Sequence, residues 1–173
     1  DYVRTFCMCP NGEVVQEQFG GFQGVISVNG HSYVKHKTKN TNFALLITTN
    51  FTKPFDQPIL YAEYITRLAN LLGKTIIIQR LGDLWLGRRS TPERINKGKV
   101  KPTLKTAAPG DLSFVLPYRL LTGIMEMLKQ MDKLAPGIYA KDTLLYGVEV
   151  KFYSSAPKLN NKLESEIKNL FAV

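Results

Sequence analysis

The sequence predicts an α+β fold: a mostly antiparallel, β-rich body, a sheet or partial barrel, carrying an inserted helical lobe. Three observations lead there. Alternating, β-branched and aromatic segments fill the first 55 or so residues and return after about residue 138. Between them lie two long runs whose apolar residues recur at three- and four-residue spacing. Regular strand–helix–strand alternation is missing, which argues against a parallel, doubly wound sheet. With 173 residues, 44% of them hydrophobic, the chain can bury one core. The β-rich body is expected over about 1–55 and 138–173, and the helical lobe over about 56–137.

The opening run Arg4-Thr5-Phe6-Cys7-Met8-Cys9-Pro10-Asn11-Gly12 holds both cysteines of the chain. Tyr2–Cys9 alternates and Glu13–Phe19 follows Asn11-Gly12 directly, so the pair reads as a β-hairpin. On such a strand Cys7 and Cys9 share a face, about 6–7 Å apart. Gly20-Gly21 turns the chain into a third strand, Gln23–Val28, and Asn29-Gly30 supplies a second two-residue turn into His31–His36. Phe43–Thr49 is a continuous apolar run of the kind found in buried strands. Asp56 can cap an amphipathic helix beginning at Gln57, with Ile59, Leu60, Ala62, Ile65, Leu68, Ala69, Leu71 and Leu72 on its apolar positions and Gly73 closing its last turn. Thr75–Gln79 is a short strand. Leu81–Trp85 leads into the loop Gly87-Arg88-Arg89-Ser90-Thr91. Residues 90–110 contain Pro92, Pro102 and Pro109 with little apolar content, the pattern of an exposed or functional loop. Asp111 can cap a second helix reaching about Leu134, its regular part starting near Pro117, and Ala135-Pro136-Gly137 stops it. Thr143–Tyr153 alternates again as a strand, which Ser154-Ser155-Ala156-Pro157 breaks. Lys158–Asn169 is a polar connector, and Leu170–Val173 begins another strand.

The chain carries 23 Lys and Arg against 14 Asp and Glu, a formal net charge of +9. That balance suits an anionic partner. Lys35, Lys37 and Lys39 alternate, and Arg94, Lys97, Lys99, Lys101 and Lys105 crowd the segment that follows Arg88-Arg89. These cations read either as a solvated loop or as an anion-binding face. The longest apolar runs fall far short of the roughly 20 residues a membrane-spanning helix needs. No signal-peptide pattern opens the chain, and two cysteines make no disulfide framework, so a reducing cytoplasm is the default setting. The sequence has no G-x-G-x-x-G after a strand, no Walker loop, no H-E-x-x-H and no G-x-S-x-G, so it predicts neither a nucleotide-binding domain of its own nor a familiar hydrolase.

Two readings of the cysteines stand side by side. Arg4 lies close enough in sequence to favour a reactive thiolate, whereas small buried hydrophobes are the commoner fate of free cysteine. Cys7, Cys9, His31 and His36 are formally a zinc set, but the cysteine spacing is tighter than structural zinc sites use and the histidines belong to a different hairpin, so no metal is expected. Glu63, Glu126 and Asp132 are scattered and form no acid–base pair. Arg88 with Ser90 is the better anion site, because guanidinium forks and hydroxyls share phosphate or carboxylate oxygens. Tyr33 between lysines could stack a base, yet no recognisable nucleic-acid module accompanies it.

The runs R-T-F-C-M-C-P-N-G-E-V-V, L-G-D-L-W-L-G-R-R-S-T, G-V-E-V-K-F-Y-S-S-A-P and N-L-F-A-V resemble, in this order, the middle part of the FAD-dependent dehydrogenases also called NAD(FAD)-utilising dehydrogenases. The resemblance spans nearly the whole chain. It implies an insert domain of a larger flavoprotein, lying between an amino-terminal Rossmann segment and a return strand with its Gly-rich segment. It implies FAD in the full-length enzyme, held mainly by the domain outside these residues, with NAD(P)H as a further cofactor and a small, anionic molecule as substrate. The fragment alone is then inactive. Carried onto this chain, the resemblance bears on Arg4, Cys7, Cys9, Pro10 and Gly12, on Arg88 and Ser90, and on Ser154, Ser155 and Pro157. The opening motif is expected to face the isoalloxazine ring, with Cys7 or Cys9 lining the substrate pocket and Arg88 and Ser90 meeting an anionic group. The rival from another class is a non-enzymatic basic module that binds nucleic acid or another polyanion.

Overall fold

The computed structural model describes residues 2–18, 24–151 and 157–172. In chain order the elements are β1 (Tyr2–Cys9), β2 (Glu13–Gln18), β3 (Ile26–His31), β4 (Asn42–Thr48), α1 (Pro58–Gly73), β5 (Ile77–Arg80), α2 (Leu81–Trp85), α3 (Pro92–Lys97), β6 (Ala108–Pro109), α4 (Tyr118–Met131) and β7 (Leu144–Gly147), with a single 3-10 turn over Leu112–Phe114 before α4. The fold is mixed α+β. Among the described residues its strands form three small sheets and no closed barrel: β1 with β4, β2 with β3, and β6-β5-β7. All pairs are antiparallel except β5 with β6. Strands β5 and β6 arise within the segment expected to form the helical lobe, and β5 pairs with β6 on one side and β7 on the other, so one sheet joins that segment to the β-rich one.

The expected hairpin of the first two strands does not form as a pair. Its turn is made, with the Gly12 amide donating to Cys9 O at 3.2 Å, but the strands then part. β1 pairs with β4, from Tyr2↔Thr48 to Cys9↔Asn42, and β2 pairs with β3. The apolar Phe43–Ile47 run gives Val3 and Phe6 more to pack against than the Gln- and Glu-rich β2 offers, and cross-strand side-chain packing decides such choices. Asn29-Gly30 likewise lies inside β3 rather than in a turn. The glycine is needed there because a Cβ at Gly30 would run into the Asn42 side-chain amide, so it answers a close approach between strands. His31–His36 is accordingly no strand beyond His31. The outer edge of β4 has no strand partner among the described residues.

Helix α1 begins with Pro58 at its first position, where a missing N–H costs nothing. Gln57, not Asp56, is its cap, and no side chain caps it. At the far end Lys74 takes the left-handed conformation (φ 60°) that Gly73 was expected to supply, and Gly73 instead admits Ile77, whose Cγ1 would lie 2.9 Å from a Cβ there. Residues 90–110 are built, not structureless. Thr91 caps α3 through the Arg94 amide, Pro92 opens it and Ile95 is buried beneath it, so one apolar residue anchors the helix. Asp111 caps only the 3-10 turn, accepting from the Ser113 amide at 2.9 Å, and α4 starts after Pro117. Among the described residues the strand expected over Thr143–Tyr153 shortens to β7, its last two positions lying outside them, and the one expected at Leu170–Val173 reduces to a single bridge between Glu164 and Phe171.

Among the described residues two apolar clusters stand out in the interior. Ala69, Ile77, Leu112 and Val115 hold α1 and the 3-10 turn on β5. Leu81, Leu84 and Leu128 hold α2 on α4, with Phe43 and Leu45 of β4 and Leu145 of β7 packed at the margin.

Candidate functional site

The two cysteines part company. Cys7 has a left-handed backbone (φ 46°), and the β1–β4 register shifts between Phe6 and Cys9. This bulge breaks the alternation that would put both thiols on one face. Cys7 is exposed and Cys9 is buried. The Cys9 thiol donates to Cys7 O at 3.4 Å, and its pKa is pushed up by burial first, then by Cys7 and Glu149. A Cβ on Gly12 would lie 2.8 Å from Cys9 O and 2.9 Å from Cys9 Cβ, so Gly12 is where the turn closes onto Cys9. Pro10 is exposed and its carbonyl accepts from Ser32 Oγ at 2.7 Å. The Arg4 guanidinium lies 5.4 Å from the centre of the Phe6 ring, with a buried Nε that has no hydrogen-bond partner.

Cys7 stands at the rim of a large cavity of about 1160 Å³. Phe43 and Leu45 of β4, Leu121 and Ile124 of α4, and Leu145 and Val148 at β7 give it apolar walls. Polar groups gather at the β1 bulge, where Asn42, Glu149 and Lys151 join Cys7, and the exposed Asp56 stands at the opposite mouth beside Phe51 and Tyr61. The Asn42 Nδ2 is buried and has no hydrogen-bond partner. Lys151 Nζ lies 3.0 Å from Glu149 Oε1. Burial draws the lysine pKa down, but the bond to Glu149 and its charge outweigh that and hold it above the ordinary value. His31 and His36 face carboxylates: His31 Nε2 is 2.8 Å from Glu17 Oε1 and His36 Nε2 is 3.5 Å from Glu13 Oε2. Among the described residues no three His, Cys, Asp or Glu are grouped to hold a metal ion. Tyr33 stacks on His31 at 5.9 Å, in a segment that is not a strand.

The Arg88 loop is organised around a carboxylate that sequence reasoning passed over. Asp83 of α2 is fully buried. It accepts from Arg88 Nε at 2.9 Å and from Ser90 Oγ at 2.8 Å, while Arg80 and Arg94 approach to 3.8 and 4.0 Å. The Ser90 hydroxyl also accepts the Arg80 amide at 2.8 Å, and its one donor is already committed to Asp83. Gln79, equally buried, ties the loop to the 3-10 turn: Nε2 donates to Arg88 O and Asp111 Oδ1, and Oε1 accepts from the Leu112 amide. Arg80 continues to Asp142 at 2.6 Å. Arg88 remains half exposed, with guanidinium N–H groups beyond the one given to Asp83. The only signal for Asp83 in the sequence was a carboxylate between Leu81, Leu84 and Trp85. Ser154 and Ser155 lie outside the described residues, and Pro157 is exposed.

Residues 1–152 match the model of a family described as FAD-dependent protein, C-terminal domain-like. The chain belongs to that family. An uncharacterized protein of Clostridium beijerinckii is 29% identical over 180 residues, covering 97% of this chain and 32% of the relative, so the chain spans about a third of that protein's length. The context of the domain is therefore a flavoprotein. Its residues fit one part of that cofactor and not another. Among the described residues no helix rises from a glycine-rich turn after a strand: α2 follows β5 directly, and α1 and α3 open on Pro58 and Pro92, so there is no cradle for a pyrophosphate. The broad apolar wall of the cavity does suit a flat ring system and an apolar substrate beside it. No helix among the described residues is long and apolar enough to cross a membrane.

Proposed function

We propose that this domain is the substrate-side cap of an FAD-dependent dehydrogenase: an insert that closes over the flavin held by the rest of the protein, in the cytoplasm, and that has no turnover by itself. The observation that carries the reading is the position of the large apolar cavity beside the exposed Cys7 of the opening motif, in a chain of a flavoprotein family. FAD, when bound, supplies the capacity to take up and release a hydride. The chain's own residues do the rest. The walls on β4, β7 and α4 exclude water and orient the substrate. Cys7 lines the pocket at the flavin edge, whereas Cys9, buried with a raised pKa, with Pro10 and Gly12 holds the bulge that presents Cys7. Arg4 backs the same strand. Arg88, half exposed on the α2 loop with its guanidinium held by Asp83, which Ser90 holds in turn, is available to an anionic group of the cofactor rather than to the substrate in the cavity.

The test uses the full-length flavoprotein. Attaching a maleimide to Cys7 is expected to shift the visible absorption of the flavin and to slow its reoxidation by oxygen, and Cys7→Ser is expected to abolish both effects. If the labelled protein keeps its spectrum and its reoxidation rate, Cys7 does not lie at the flavin and the cap reading falls.

A further inference from the structure

We infer that the cavity between β4, β7 and α4 is a binding site for a long, uncharged apolar molecule that carries a single carbonyl or hydroxyl oxygen at one end. The inference deepens the cap reading by naming the class of its substrate. Its first support is size: about 1160 Å³ lies at and beyond the top of the range for small-molecule sites, far more than a short polar metabolite fills. Its second is the asymmetry of the walls. Past Phe51 and Tyr61, whose rings meet at 5.2 Å beside the exposed Asp56 at that mouth, the lining runs inward through Leu45, Leu121 and Ile124, all apolar. At the β1 bulge it ends on polar groups.

The third support fixes the head group. A buried amide N–H without a partner costs about 1–3 kcal/mol, so the Asn42 Nδ2 calls for an acceptor. The neighbouring charges argue against an anion there. Lys151 is already engaged by Glu149, and Glu149 would repel a second carboxylate. A neutral oxygen accepting from Asn42, with the apolar body lying along β4 and α4, satisfies both ends. Arg88 meets Asp83 in the separate α2 loop and is not among the lining residues, so an anionic head would have to seek that other site.

The experiment is an equilibrium one on the full-length protein, displacement of Nile red by straight-chain methyl ketones of increasing length and by alkanes of matching length. Affinity is expected to rise two- to fourfold per added methylene, about 0.8 kcal/mol being the upper value for a methylene fully removed from water. A ketone should bind at least tenfold tighter than its alkane. Asn42→Leu, which keeps the volume and removes the donor, should erase the ketone's advantage but not the length dependence. Leu121→Trp should fill the cavity and weaken the longest ketones at least tenfold; if that variant loses its far-ultraviolet circular dichroism, Ala44→Leu takes its place. Affinity independent of length, as when another part of the protein fills the cavity, overturns the inference, and so does a ketone preference that survives Asn42→Leu. Because binding is read without turnover, these results stand whether or not Cys7 proves to lie at the flavin.

Discussion

Replacing Asp83 by Asn removes one charge from the centre of the α2 loop and leaves its shape. In the native protein Arg88 Nε and Ser90 Oγ donate at 2.9 and 2.8 Å to this carboxylate, which is itself fully buried. Breaking a buried ion pair by removing one partner costs about 3–5 kcal/mol. Two features reduce that here. Arg88 has 46% of its side chain exposed and can rehydrate, and Arg80 keeps its 2.6 Å bond to Asp142. The expected loss is therefore about 2–3 kcal/mol. With a urea slope of about 2 kcal/mol per molar, the midpoint should fall by about 1–1.5 M. Trp85, the only tryptophan, lies two residues from Asp83 and against Tyr139 at 4.7 Å, so its fluorescence reports the transition. Arg88→Ala alone should cost about 1 kcal/mol, and the double variant should show a coupling of at least about 1 kcal/mol. A midpoint change under about 0.25 M for Asp83→Asn, or simple additivity in the cycle, would refute the idea that this carboxylate holds the loop.

Three further outcomes follow from geometry already given. Iodoacetamide should modify Cys7 within minutes and leave Cys9 untouched until the chain unfolds, as mass mapping will show; equal labelling would contradict the bulge. Asp142 is held below the ordinary carboxylate value by its bond to Arg80, then by the Lys99 amide, so the stability it contributes should be complete above about pH 5 and drain away as the pH falls through the lowered value. Asp142→Asn should flatten that acid limb, and an unchanged acid limb would rule the residue out. Gly12→Ala must push against Cys9 and should lose about 1–3 kcal/mol in thermal or urea unfolding; no loss would mean the turn can open freely.

The long helices and most strand segments could be read from the sequence because their signal is local. Apolar spacing marks α1 and α4, and Pro58 and Pro117 mark their starts. Strand partners could not be read this way. Asn11-Gly12 and Asn29-Gly30 look alike as dipeptides, yet one makes a turn and the other sits in a strand opposite Asn42, a neighbour supplied by a distant segment. The short helices α2 and α3 escaped notice because polar bonds to Asp83 and Thr91 hold them, and no periodicity survives in so few residues. At the candidate site, Cys7 and Arg88 stood out by residue type. Asn42, Lys151 and Asp83 did not, since burial and a missing partner belong to the folded chain. The shared face of Cys7 and Cys9 failed on one backbone angle at Cys7, a conformation that a non-glycine residue seldom takes.

The unpaired edge of β4 has a consequence for handling the domain away from its parent protein. Among the described residues the outer edge of Asn42–Thr48 pairs with no other strand, and its Ala44-Leu45-Leu46-Ile47 stretch contains neither a charge nor a proline to deter one. Copies of the chain could zip together along that edge. The repulsion between bodies carrying +9 each opposes this, but it reaches only about 10 Å at 0.1 M salt and about 3 Å at 1 M. Added salt, usually a means of keeping basic proteins clean, should here bring the isolated domain out of solution as strand-paired aggregates.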